Sequence, residues 1–214
     1  MYKKFNFHIL FTSVSIKLKK MINVKRLFMQ LGKPTVIFPA LIASFGFLGS
    51  FASHAEPQTL RAVDKIEVNK YVGKWYEIAH FPMYFQRKCV SNTTANYSIN
   101  ADQTIAVINS CRTKAGETIR SEGVAYPQNA GNSMLKVSFL PSGLRWIPFT
   151  KGDYWVLRVD SNYRVALVGG PSHKYLWILS RDPNLDAATY QSYVQTARDY
   201  GYDVSKLVRT PQKK

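Results

Sequence analysis

One feature restricts this chain more than any other. Between Tyr71 and Arg181, segments rich in Val, Ile, Thr, Tyr, Phe and Trp alternate with clusters of Gly, Asn, Asp and Pro at intervals of about 10 residues. β-Branched and aromatic side chains suit a pleated strand and the intervening residues suit turns, so neighbouring segments are expected to pair as hairpins. Turn signals at Asn100-Ala101-Asp102, Lys114-Ala115-Gly116, Asn129-Ala130-Gly131-Asn132 and Asp160-Ser161-Asn162 each separate two such segments. The pattern gives eight strands, at about 74–84, 91–100, 103–112, 117–126, 133–140, 153–160, 164–169 and 174–181. Eight antiparallel strands suit a small closed up-and-down barrel. In the fifth, Leu135, Val137 and Phe139 share one face and Lys136 and Ser138 the other. In the sixth, Trp155, Leu157 and Val159 are opposed by Arg158, while Tyr154 and Val156 blur the outer face.

After Pro183 the period lengthens to about 3.6 residues. Ala187, Tyr190, Tyr193, Val194 and Ala197 form one stripe between Leu185 and Tyr200, which predicts a single amphipathic helix stopped by a left-handed Gly201. Val204 to Val208 is expected to return as a short ninth strand, and residues 211–214 read as a polar tail.

The formal charge of +16 is unevenly distributed. Residues 1–55 carry eight Lys and Arg and no acid, followed from Thr35 to Phe51 by an uncharged apolar stretch and then by Ser53-His54-Ala55. Basic, apolar and small-residue regions in that order are the parts of a secretory signal, so residues 1–55 are excluded from the fold and the domain is assigned to residues 56–210. An uncleaved N-terminal anchor is the alternative. Either way the chain is expected to be exported, to the periplasm or the outer membrane if the host is bacterial. No Cys directly follows the apolar stretch, so no lipoprotein anchor is expected there.

The rest of the chain has 21 bases and 13 acids, interspersed, and its aromatics alternate with aliphatics on the strand faces. A basic groove with exposed aromatics, which single-stranded nucleic acid would need, is not indicated. Enzyme chemistry finds little support either. His80 and His173 lie on different strands, Asp153 and Asp160 fall on opposite faces of one strand, and no phosphate loop or nucleophile elbow occurs. Only Cys89 and Cys111 are present. A hairpin turning near Ala101 places Cys111 opposite about Ser91, close enough for a disulfide in an oxidising compartment.

Three short motifs coincide with this architecture. Asn69-Lys70-Tyr71-Val72-Gly73-Lys74-Trp75-Tyr76-Glu77 opens the first strand, Asn162-Tyr163 stands at the turn between the sixth and seventh, and Leu179-Ser180-Arg181-Asp182-Pro183 ends the eighth. Together they make the chain resemble a lipocalin over roughly residues 60–210. It is most similar to the apolipoprotein D and bacterial outer-membrane lipocalin group, through W-Y-E-I-A, A-N-Y-S and L-W-I-L-S-R-D-P-N-L. It departs from the family at the Thr expected before Asn162-Tyr163 and at the missing lipid-modified Cys.

The resemblance implies an all-β, eight-stranded antiparallel barrel with one C-terminal helix. Gly73, Trp75, Tyr163 and Arg181 are expected in structural roles, with the Arg181 guanidinium stacked on the Trp75 indole to seal one end. With Trp75 inward, a period of two places Glu77, Ala79, Phe81 and Met83 inside. The family's orientation adds Thr93, Ala95, Tyr97, Asn109, Leu135, Val137, Phe139, Trp155, Leu157, Tyr175 and Trp177. Such a wall suits an elongated hydrophobe, with Asn109 and the tyrosines available to a head group. Glu77 reads either as a satisfied core carboxylate or as a ligand contact. The expected function is non-enzymatic binding of fatty acids or lysophospholipids, entered from the end opposite Trp75 and serving lipid transport or storage in the cell envelope. No cofactor or metal is expected; a membrane surface and a second copy of the chain are candidate partners. The alternative is a lipid isomerase or esterase on the same scaffold, using Glu77 or a free Cys.

Overall fold

A computed structural model describes residues 58–147 and 149–213, so the expected signal segment lies outside the described residues. The strand-rich rhythm becomes β1 (Gly73–His80), β2 (Ser91–Ile99), β3 (Ile105–Arg112), β4 (Thr118–Pro127), β5 (Met134–Ser138), β6 (Gly152–Val159), β7 (Val165–Gly169) and β8 (Trp177–Ser180). Each pairs antiparallel with its neighbours in chain order, and β1 pairs with both β8 and β2, so the sheet closes on itself. Closure leaves no open sheet edge around the ring. A one-turn helix, α1 (Val68–Tyr71), precedes the first strand.

The second layer is α2 (Ala187–Asp199), which buries Tyr193, Val194 and Ala197. Its N-cap Asp186 accepts a 2.8 Å bond from the Thr189 amide, and this bond lowers the carboxyl pKa. Gly201 ends it at φ +81°, the left-handed stop the sequence predicts. The Arg158 guanidinium lies 4.1 Å over the Tyr193 ring and donates to Ser192 and Thr196, fixing α2 against β6. The barrel therefore has two apolar clusters, one inside the ring and one between its outer face and α2.

Two β-bulges decide which residues face which cluster. One lies between Glu77 and Ala79 in β1 and the other between Val156 and Arg158 in β6. A bulge inserts one residue and reverses the alternation beyond it. Glu77 consequently stays with the interior, whereas Ala79 and Phe81, expected inside, join the outer cluster, with Phe81 edge-on to Tyr202 at 5.9 Å. Met83 is buried in the loop beyond the strand. In β6 the expectation of inward Trp155 and Leu157 is also overturned. Both pack in the outer cluster, while Tyr154 and Val156 line the interior. The error has a physical cause: α2 covers this wall, so both of its faces are apolar and alternation carries no sign.

The end of the chain also differs from the expected polar tail. A single 3₁₀ turn (Val204–Lys206) leads into the two-residue β9 (Val208–Arg209), which pairs with the upper part of β1. Beyond it the Thr210 amide donates to the Ile78 carbonyl, the Asn92 amide to the Pro211 carbonyl, and the Gln212 side chain to the carbonyls of both Glu77 and Thr93. Direct β1–β2 pairing ends at Tyr76 and Thr94, so Thr210 to Lys213 act as a strap across the gap above it. Cys89 and Cys111 are joined by a disulfide across 22 residues, as expected.

Two outcomes test this description. Truncation after Arg209 removes the strap and leaves polar groups of β1 and β2 without partners; unfolding stability should fall by about 1–3 kcal/mol in urea titrations. Reduction of the disulfide should lower it by about 3 kcal/mol through the released loop entropy, with the protein still folded at room temperature.

Candidate functional site: the barrel interior

The closed end is built around one guanidinium. Trp75 is fully buried, and its indole donates to the Tyr71 carbonyl at 2.7 Å. Arg181 lies over the indole, 3.9 Å from its centroid. From there it donates to the carbonyls of Lys70, Tyr71, Val72 and Lys74 at 2.7–3.0 Å, and to that of Tyr163 at 3.3 Å. The last carbonyls of a helix have no intrahelical partner, so Arg181 caps α1 while bridging the ends of β8 and β1. Gly73 holds φ +92°, a region that favours glycine, and a Cβ there would sit 3.4 Å from the guanidinium. Tyr163, at φ +55°, accepts a 2.9 Å bond from the Glu67 amide through its hydroxyl and so ties the β6–β7 turn to α1. All four residues expected in structural roles meet at this end.

Above the seal the interior carries a chain of phenols. The Tyr154 hydroxyl bonds to those of Tyr71 at 2.9 Å and Tyr97 at 3.0 Å. Burial raises all three pKa values, that of Tyr97 to about 12, so the cluster is neutral at ordinary pH. Ala95, Tyr97, Leu135 and Val137 face this interior as expected. Tyr71 and Tyr154 complete it but were not among the expected site residues. Tyr71 stands in the Asn69 to Glu77 motif, and Tyr154 was obscured by the apolar outer face of β6.

A polar belt follows towards the mouth. Glu77, 4% exposed, accepts from Gln86 Nε2 at 2.7 and 2.8 Å and from Thr210 Oγ1 at 2.6 Å, with His80 Nδ1 at 2.9 Å. Because the Thr210 hydroxyl gives its proton to Glu77, its oxygen is free to accept from His80 Nδ1, 3.0 Å away. Glu77 is thus a satisfied carboxylate holding β1, the β1–β2 loop and the strap together. Thr93 is buried in β2 beside the strap. On β3, Asn109 points to the same interior as Ile105 and Val107, and its Oδ1 is buried without a hydrogen-bond partner.

At the mouth, Trp177 packs against the interior cluster and stacks on Tyr175 at 5.9 Å, and Tyr175 meets Phe85 at 5.8 Å. Across the opening, Phe139 lies against Gly123, where a Cβ would meet its ring at 2.8 Å, and remains half exposed. Phe85, Gln86, His80 and Thr210 were not anticipated as part of this region. The first two sit in a loop without periodicity, and the other two are brought in by the bulge and the strap.

A ring of strands sealed by an Arg–Trp stack, with an interior running from phenols to an aromatic mouth, defines a barrel-type carrier of small hydrophobic molecules. The chain belongs to the lipocalin family: the model for a lipocalin-like domain matches residues 66–212. Temperature-induced lipocalin-1 of Arabidopsis thaliana is 44% identical over 73% of this chain and 85% of that protein. The outer membrane lipoprotein Blc of Escherichia coli K12 is 38% identical over 75% of this chain and 88% of its own. Among solved structures, lobster apocrustacyanin A1 shares the fold with a TM-score of 0.55, at 18% identity, over 69% of this chain and 81% of that one.

The seal predicts that Arg181→Ala or Trp75→Ala will lower stability by about 1–4 kcal/mol in chemical denaturation, with little change in ligand preference. The phenol cluster makes a separate prediction. A phenol whose folded pKa is raised contributes stability that is complete below its unfolded value near 10 and is lost as pH climbs towards the folded value, about 12 for Tyr97. Denaturation midpoints should therefore fall through that window, and tyrosinate absorbance should show a group of phenols titrating late.

Proposed function

We propose that the barrel binds fatty acids or lysophospholipids with the acyl chain in the interior, and that the protein is exported and serves lipid transport or storage in the cell envelope. The observation that carries this is the orphaned Asn109 Oδ1, which faces the same interior as Ala95, Leu135 and Val137. A buried acceptor without a donor is costly, and a ligand bearing a hydroxyl or a protonated head group at that depth would satisfy it. The acyl chain would extend past Ala95, Leu135 and Val137 towards the phenols, while the Tyr175–Trp177 stack covers the entrance. The basic and apolar N-terminal segment supports export, and the Escherichia coli relative carries an outer-membrane name.

Binding is favoured over catalysis. The alternative of a lipid isomerase or esterase relied on Glu77 or a free thiol. Glu77 is held by Gln86 and Thr210, and both cysteines are consumed in the disulfide.

Acyl ligands of increasing length test the proposal. Each buried methylene contributes about 0.8 kcal/mol, so affinity should rise with chain length until the tail reaches the phenols and then level off, as followed by tryptophan fluorescence. Trp177→Ala should weaken binding, Ala95→Trp should fill the interior and abolish it, and Asn109→Leu should select against ligands with a hydroxyl near the head. Normal affinity in the Ala95→Trp protein would place the ligand outside the barrel, and turnover of the ligands would favour the enzyme.

A further inference from the structure

The two ends of the barrel differ in charge. The four loops at the open end, residues 81–90, 113–117, 139–151 and 170–176, contain Arg87, Lys88, Lys114, Arg145, Lys151 and Lys174 against a single acid, Glu117. The four at the closed end, residues 100–104, 128–133, 160–164 and 181–186, carry Asp102, Asp160, Asp182 and Asp186 against Arg164 and Arg181, and Arg181 is committed to the seal. The barrel is therefore polarised along its axis, positive at the mouth.

Apolar exposure follows the same polarity. Tyr84 and Phe85 in the β1–β2 loop and Leu144, Trp146 and Phe149 in the β5–β6 loop stand in solvent, Trp146 at 75% and Phe149 fully. Cations accompany them. Arg87 stacks on Tyr84 at 3.9 Å, and Trp146 shares a shallow groove with Tyr126, Gln128, Lys136, Arg145 and Lys151. Lys136 is paired with Asp153, whereas Arg145 and Lys151 donate to the backbone carbonyls of Leu140 and Arg145, which leaves their charge uncancelled.

Large aromatics on loop tips are costly in water unless something covers them. Their covering partner must accept indole and phenyl rings and several cations at once. The polar–apolar boundary of an anionic bilayer does both, since aromatic rings settle at headgroup depth and phosphates attract Lys and Arg. We infer that the open end docks on an anionic phospholipid surface, with Trp146 and Phe149 entering the headgroup layer and Arg145 and Lys151 on its phosphates. No helix among the described residues is long and apolar enough to cross a membrane. Docked in this way, the Phe85–Tyr175–Trp177 stack runs from the lipid surface into the interior, and an acyl chain passes between them without crossing water.

The test uses the full chain with phosphatidylcholine vesicles made with and without phosphatidylglycerol. The N-terminal segment is common to every variant, so differences between variants report the loops. Sedimentation with vesicles should require phosphatidylglycerol and weaken with salt. Arg145→Gln and Lys151→Gln should each reduce partitioning roughly fivefold, the effect expected of one surface charge, and Trp146→Ser with Phe149→Ser should reduce it further. The emission lost between the native chain and Trp146→Phe isolates Trp146, and brominated phosphatidylglycerol should quench it. Acyl-ligand binding in solution should be unchanged in all of these variants, which separates a failure of docking from a failure of the proposed ligand reading. Equal partitioning of all variants or an unquenched Trp146 would overturn the inference. So would a dimer in sedimentation that the same substitutions dissolve, because the aromatics would then be covered by a second copy of the chain.

Discussion

The rest of this structure depends on how the ring of strands is closed. A closed sheet has no edge to protect, but its first and last strands must find each other from far apart in sequence and hold a single register. Arg181 does this with one side chain. Its flat face covers Trp75, and its donors take up carbonyls that α1 and the start of β1 would otherwise leave unpaired. A lysine could supply the charge but neither the flat stack nor the fork of donors. Once that end is fixed, the pleat dictates which side chains look inward, except where a bulge intervenes.

Most of the fold could be read from the sequence because its signals are local. The spacing of turn residues located all eight ring strands to within a few residues, and the helical stripe and Gly201 located α2. The inward set was harder, because a period of two carries no information across a bulge or on a wall covered from both sides. Ala79 and Phe81 were misplaced by the first effect, Trp155 and Leu157 by the second. On β2 and β5, whose outer faces are largely polar, the inward assignments of Ala95, Tyr97, Leu135 and Val137 agree with the structure.

The interior shows the same division. The disulfide and the seal were legible because a hairpin register and a short motif fix them. The belt around Glu77 was legible only as a question, since the sequence offers a carboxylate in an apolar place without naming its partners. Those partners, Gln86 and Thr210, come from a loop and from beyond the last helix, and only folding brings them together. The same holds for the charge polarity of the two ends. It is written in the loops, yet it becomes visible only when alternate loops are assigned to alternate ends of a barrel.

The seal also bears on the order of events in synthesis. Arg181 contacts Lys74 across 107 residues, so the first strand has no permanent neighbour on one side until nearly all of the ring has been made. Hairpins from β2 to β7 can form as the chain emerges, but the ring itself cannot. A contact this distant makes closure a late and slow step. A nascent chain therefore stays open, with the inward faces of its strands uncovered, until β8 has been made.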